Sequence, residues 1–285
     1  MVMMKFPNRQ RYLPEKALLE KQTVIGFPIV AESFTIQLNT VMGWAEQHLS
    51  KVVCVANVHM LVEAKTHPSF AKVLRHADML TPDGMPLAWV ISWLKLRYQD
   101  RVAGMDILLN VCRQAPNSGV SLFFLGSTPE ILRGMRERLE SEFPEVKIAG
   151  MEALPFRPLT SCEDEELTER LNNSGANIIF VSLGCPKQEW WMHHHYGKVD
   201  AVMIGLGGVF PIFSGIQKWA PEWVRRHGLE WAYRLMQEPK RLWSRYAKTI
   251  PPFVWLVCVQ LVKVKLGLNP DKAVRETIFR FYSQG

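Results

Sequence analysis

The chain has 285 residues, 48% of them hydrophobic, which is enough to bury a core as one large domain with an appendage or as two small domains and excludes disorder for most of its length. Its five cysteines (Cys54, Cys112, Cys162, Cys185 and Cys258) form no C-x-x-C pair and no tight even spacing; this excludes a disulfide framework and a zinc ribbon and fits a reducing compartment. The net charge of +7 is unevenly divided: residues 217–285 hold 13 Lys/Arg against 5 Asp/Glu, while the rest of the chain holds 21 against 22.

Residues 1–21 are polar and of mixed charge, without the apolar stretch and small-residue cleavage site of a secretory signal, so export is not expected. From there on, short β-branched runs alternate with longer amphipathic segments. Strands are predicted at 52–56, 79–81, 121–125, 146–149, 177–183 and 201–206, with helices at 86–96, 106–114, 129–143, 163–173 and 187–196. That alternation predicts an α/β fold, a mostly parallel Rossmann-like sheet with helices on both faces. Ser127-Thr128-Pro129-Glu130 marks one helix start with a capping hydroxyl, a first-turn proline and a first-turn carboxylate. The proline-containing stretch 151–161 reads as a loop. The longest apolar run, 250–262, is broken by Pro251, Pro252 and Gln260 and falls short of the ~20 residues of a spanning helix. Five of the ten tryptophans (Trp219, Trp223, Trp231, Trp243 and Trp255) share the basic last quarter. Cation with tryptophan suits a surface that meets anionic lipid, with nucleic acid as the competing partner. The organisation expected is an extension over 1–22, an α/β body over 23–216 and a basic, membrane-associating helical appendage over 217–285.

Residues out of place in a plain scaffold fall just after the predicted strands, where ligands bind in open α/β sheets. Gly126-Ser127 offers either a phosphate cradle at a helix N-terminus or a tight turn that needs glycine for packing. Asp83, in Thr81-Pro82-Asp83-Gly84, is either a helix cap or a carboxylate placed to take a proton from a sugar hydroxyl. In Gly184-Cys185-Pro186-Lys187-Gln188-Glu189 a strand runs into a proline-initiated helix with three polar residues in its first turn, and Gln188 is a candidate donor to a sugar or phosphate oxygen. Gly205-Leu206-Gly207-Gly208 looks like a dinucleotide fingerprint, but Pro211 follows and the distal acidic residue is missing. A Rossmann-type oxidoreductase or methyltransferase is disfavoured on that ground. His193-His194-His195 point in three directions from one helix and cannot share an ion; no metal is expected.

Taken in order, several segments carry a resemblance: Ala56-Asn57-Val58-His59-Met60, Pro82-Asp83-Gly84-Met85, Arg101-Val102-Ala103-Gly104, Gly184 to Glu189, Gly205 to Gly208, and Gly228-Leu229-Glu230-Trp231-Ala232-Tyr233-Arg234-Leu235. Over about residues 24–245 the chain resembles the WecG/TagA/CpsF glycosyltransferases, glycosyltransferase family 26. The resemblance implies inverting transfer of an N-acetylmannosamine-type sugar from a UDP-sugar to an undecaprenyl-diphosphate-linked sugar. The setting would be cell-surface polysaccharide synthesis by a peripheral enzyme on the cytoplasmic side of the membrane, with no cofactor. It further implies Asp83 as general base and Asn57, Arg101, Gly104, Gly184, Lys187, Gln188 and Glu189 as substrate-binding positions. Arg234 and Arg241 would reach the nucleotide diphosphate from the appendage, where guanidinium groups can take the part of a metal ion. The next family arginine falls at Ser244, with Arg245 one residue later, and Val55-Ala56 stand where many members have Thr-Pro. An apolar tail that hides in a partner when off the membrane leaves a homo-oligomer open.

Overall fold

A computed structural model describes residues 19–268. It begins with a two-stranded antiparallel hairpin, β1 (Lys21–Val24) and β2 (Phe27–Val30), turned through Ile25 and Gly26, both at positive φ. The extension expected over 1–22 lies outside the described residues except at its end, where Lys21 and Gln22 open this hairpin.

The body alternates strand and helix: α1 (Phe34–Glu46), β3 (Lys51–Ala56), α2 (Val58–Thr66), α3 (Pro68–His76), β4 (Met79–Pro82), α4 (Met85–Lys95), α5 (Gly104–Ser118), β5 (Ser121–Gly126) and α6 (Pro129–Glu142). It continues through β6 (Lys147–Glu152), α7 (Ser161–Asn173), β7 (Ile178–Ser182), α8 (Lys187–His194), β8 (Val202–Gly205) and α9 (Val209–Phe213). Strands β3 to β8 form one parallel sheet in the order β4-β3-β8-β7-β5-β6, which is the predicted fold class. Alternate strand residues feed two cores. Val52, Cys54, Ile179, Val181 and Met203 face α2, α3, α4, α7 and α8, and Val53, Phe124, Phe180, Val202 and Ile204 face α1, α5, α6 and α9.

Helix starts are fixed locally. Ser33, Asn57 and Thr128 accept from the third residue of their helices, and Thr160 and Glu163 form a reciprocal capping box that ends the predicted loop. After the sheet come α10 (Glu222–Arg226), α11 (Glu230–Gln237) and α12 (Pro239–Lys265). At 27 residues α12 is about 40 Å long. Its length and composition would suffice to cross a bilayer, unlike the run read from the sequence, because the helix continues through Pro251 and Pro252. One face nevertheless packs on the body: Phe253 and Val257 are buried in the core beside α2 and α4. Gln260 also clasps the hairpin, accepting from Ile25 N at 2.7 Å and donating to Thr23 O at 2.7 Å. Residues 269–285, and with them the end of the expected tail, lie outside the described residues.

Candidate active site

The carboxyl ends of β4, β3, β8 and β7 open into a cavity of about 710 Å³, roofed by α11 and the first turns of α12. Asp83 follows β4 and is held by its backbone, with N donating to Ala56 O (2.8 Å) and to Thr81 O (3.1 Å). The helix behind it is capped by Gly84 at φ 88°, without a side-chain bond. Asp83 is therefore relieved of capping, and its carboxylate makes no hydrogen bond to another described side chain. Burial and the neighbouring Glu230 carboxylate raise its pKa to about 7, against the pull of Arg101 and Arg234. Arg101 bridges two elements, donating to Glu230 (2.9 Å) on α11 and to Asp106 (3.2 Å) on α5. It ties the roof to the floor, and both of its terminal nitrogens are engaged.

The glycine run after β8 makes room for two side chains. A Cβ at Gly205 would stand 2.9 Å from Gln188 Nε2, and one at Gly208 would stand 2.6 Å from Arg234 Nη2. Gln188 is buried and donates to Glu189 (2.7 Å), while its own Oε1 and one Glu189 oxygen have no partner. Burial raises the Glu189 pKa to about 7, so a proton stays on it well above the ordinary carboxylate range; it lies behind Gln188, itself outside the cavity wall. Gly104, at the start of α5, allows that helix to approach Val209, where a Cβ would come within 2.9 Å.

On the roof, Arg234 reaches Gly208 O at 3.5 Å, Arg241 pairs with Glu238, and Tyr246 packs edge-on against Trp231 at 6.1 Å. Arg234, Arg241 and Arg245 all line the cavity. Three arginines of the basic tail thus border the cavity that holds the strand-end carboxylate, Arg241 among them while paired with Glu238. Such a site can deprotonate a hydroxyl while holding an anionic leaving group.

The family model for the glycosyl transferase WecG/TagA/CpsF family matches residues 22–266. The chain belongs to this family. The glycosyltransferase is 32% identical to a protein of Bacillus spizizenii (strain ATCC 23059 / NRRL B-14472 / W23) over 226 residues, 79% of this chain and 84% of that one. It is 29% identical to one of Bacillus subtilis (strain 168) over 243 residues (84% and 91%) and 27% identical to one of Staphylococcus aureus (strain MW2) over 214 residues (75% and 82%). Each relative is named N-acetylglucosaminyldiphosphoundecaprenol N-acetyl-beta-D-mannosaminyltransferase.

Of the positions singled out in the sequence, Asn57, Asp83, Arg101, Gly104, Gly184, Gln188, Arg234 and Arg241 meet at the glycosyltransferase's cavity. Asn57 Oδ1 is engaged in capping α2. Gly126 and Ser127 lie elsewhere: β5 is three strands from β3, about 14 Å across the sheet. Their glycine is required by packing, since a Cβ at Gly126 would stand 2.6 Å from Ser182 O. Lys187 points to solvent on α8, apart from the cavity.

Glu230, His59 and Arg245 line the cavity although the sequence assigned none of them a role. Glu230 went unassigned although it lies in a quoted segment. His59, which likewise lies in a quoted segment without a role, lines the cavity with Nδ1 buried and unpartnered, and burial together with Arg245 lowers its pKa. Arg245 rather than the exposed Ser244 faces inward, because it lies four residues, one helical turn, after Arg241. That spacing was the signal that could have found it.

Proposed function

We propose that the enzyme transfers an N-acetylmannosamine-type sugar, with inversion, from a UDP-sugar to an undecaprenyl-diphosphate-linked sugar for a cell-surface polysaccharide. The observation that carries this is the placement of one proton-accepting carboxylate, Asp83, in the same cavity as Arg234, Arg241 and Arg245. Asp83 takes the proton of the acceptor hydroxyl as that oxygen attacks the anomeric carbon from the face opposite UDP. The bond from the anomeric carbon to the diphosphate breaks, and Arg234 and Arg241 receive the charge that grows on the departing phosphate, with Arg245 beside them. The names of the relatives supply the acceptor class and the sugar.

Residues 217–268 act in this reading as an appendage that completes the site at the cytoplasmic face of the membrane. Trp255, Val262, Leu266 and Leu268 stand exposed along the outer side of α12 and beyond it, the composition of a helix lying on a lipid surface. The test is purified protein with a panel of UDP-sugars and a short prenyl-diphosphate sugar acceptor, with the product detected by mass spectrometry and its anomeric configuration read by NMR. A disaccharide diphosphate of inverted anomeric configuration is expected, undiminished by EDTA. Donor hydrolysis without transfer, or retention of configuration, would overturn the reading. The full chain is expected to float with anionic vesicles, and a chain lacking residues 240–285 to stay behind.

A further inference from the structure

The cavity does not stop at the charged groups. Beyond them it runs on as a slot between α4 and α12, which pack side by side. Its walls are Trp89 and Trp93, one turn apart on α4, and Phe253, Val254, Val257 and Leu261 on α12. Phe253 and Val257 form a buried base, whereas Trp93 is 56% and Val254 53% exposed at the rim. The slot begins one turn past Arg245 on one helix and directly after Asp83-Gly84 on the other. From Ile250 to Leu261 it extends for about 16 Å, the length of a few isoprene units.

We propose that this slot takes the isoprenoid chain of the acceptor, its units nearest the diphosphate, so that the first part of the lipid tail lies on the protein while its sugar reaches Asp83. This rests on the acceptor class given above. The occupant must be charged at one end and hydrocarbon along its length, because a cluster of guanidinium groups runs without interruption into aromatic and aliphatic walls. A peptide fits poorly. Its backbone N–H and C=O groups would need partners, and the polar group at the slot's entrance, the Thr249 hydroxyl, already donates to Arg245 O at 2.9 Å. The far end of the slot, at Leu261, is followed by Val262 on α12 and Leu266 just past it, both exposed, so a long chain leaves the protein on the side proposed to face lipid.

The test uses the full chain in detergent-free buffer with one sugar diphosphate carrying a methyl, geranyl or farnesyl group, each below its aggregation limit. The acceptor KM is expected to fall about tenfold with each added isoprene unit while the slot fills. Trp93→Asp and Val254→Asp are expected to shrink the methyl-to-farnesyl KM ratio by about tenfold or more. Phe156→Asp, 90% exposed and outside the cavity, is expected to preserve the ratio. A KM independent of chain length overturns the proposal, and so does a ratio that survives both slot variants. An effect of Trp93→Asp on the KM of the UDP-sugar with the ratio intact also overturns it, since the slot would then hold the nucleoside. Absence of transfer to every acceptor, methyl included, overturns the function reading itself and is distinguishable from all of these.

Discussion

Replacing Asp83 with Asn exchanges a carboxylate for an amide of the same shape, and its two consequences have opposite signs. Folding raises the pKa of Asp83 from an ordinary 3.8 to about 7. At 1.36 kcal/mol per pH unit, ionising it inside the fold costs on the order of 4 kcal/mol relative to the unfolded chain. Asp83 is partly open to the cavity, so about half of that, ~2 kcal/mol, is expected after solvent screening. Because the folded pKa lies above the unfolded one, the penalty is absent below pH 4, grows as pH rises and is complete above about pH 7. Asp83→Asn does not titrate. It should melt with the parent at pH 4 and about 4–8 °C higher at pH 8, as expected for a chain of this size, while transfer falls by about 10² or more. Calorimetry across that range and a radiolabelled transfer assay measure both. An Asn variant no more stable than the parent at pH 8, or more stable by the same margin at every pH, would refute the electrostatic argument, and full transfer would remove Asp83 as the base.

In the parent enzyme, kcat/KM for the acceptor should rise with pH through about 7 and then level, since Asp83 works only when ionised; a rate already flat from pH 5 contradicts this. Arg234→Ala, Arg241→Ala and Arg245→Ala should each lower transfer by about 10–100-fold, the worth of one charge-assisted hydrogen bond, in detergent as well as on vesicles; loss confined to vesicles would mean that they only anchor. Gly208→Ala keeps a permitted backbone but places a methyl where the Arg234 guanidinium lies, so it should reproduce part of the Arg234→Ala defect with a near-parental melting temperature. Gln260→Ala leaves Ile25 N–H without its side-chain partner and Thr23 C=O with only the longer bond from Gln22 Nε2 (3.3 Å), and should destabilise by about 1–3 kcal/mol, with faster amide exchange along α12.

What the sequence disclosed followed from how local the cause was. Five of the six parallel strands begin and end within a residue of prediction, because a strand buried on both faces is a compact β-branched run between turn residues. The sixth, expected at 146–149, continues to Glu152. Its extension passes through Gly150, a poor strand residue that is there because the Phe123 ring lies where a Cβ would be, 2.3 Å away. The hairpin was hidden by its four-residue strands and by Pro28. Between a phosphate cradle and a tight turn, Gly126-Ser127 stayed open because sequence shows the turn after a strand but not the strand's place in the sheet, and β5 sits on the far side of β7. The inward turn of Arg245 and the slot beside it depended on which face of α12 meets the body. That is decided by Phe253, Val257 and a side-chain amide reaching a hairpin more than 200 residues earlier in the chain.

The two attachments of the roof set terms for exchanging parts among relatives. Glu230 enters from α11 to meet Arg101, and Gln260 enters from α12 to meet the backbone of residues 23 and 25. A graft that brings a relative's last helices onto this body would inherit its arginines, but it would seat them correctly only if an acid stood opposite Arg101 and an amide stood opposite the hairpin. Exchange of these helices therefore depends on two contacts, one at the rim of the base's own cavity and one at the hairpin.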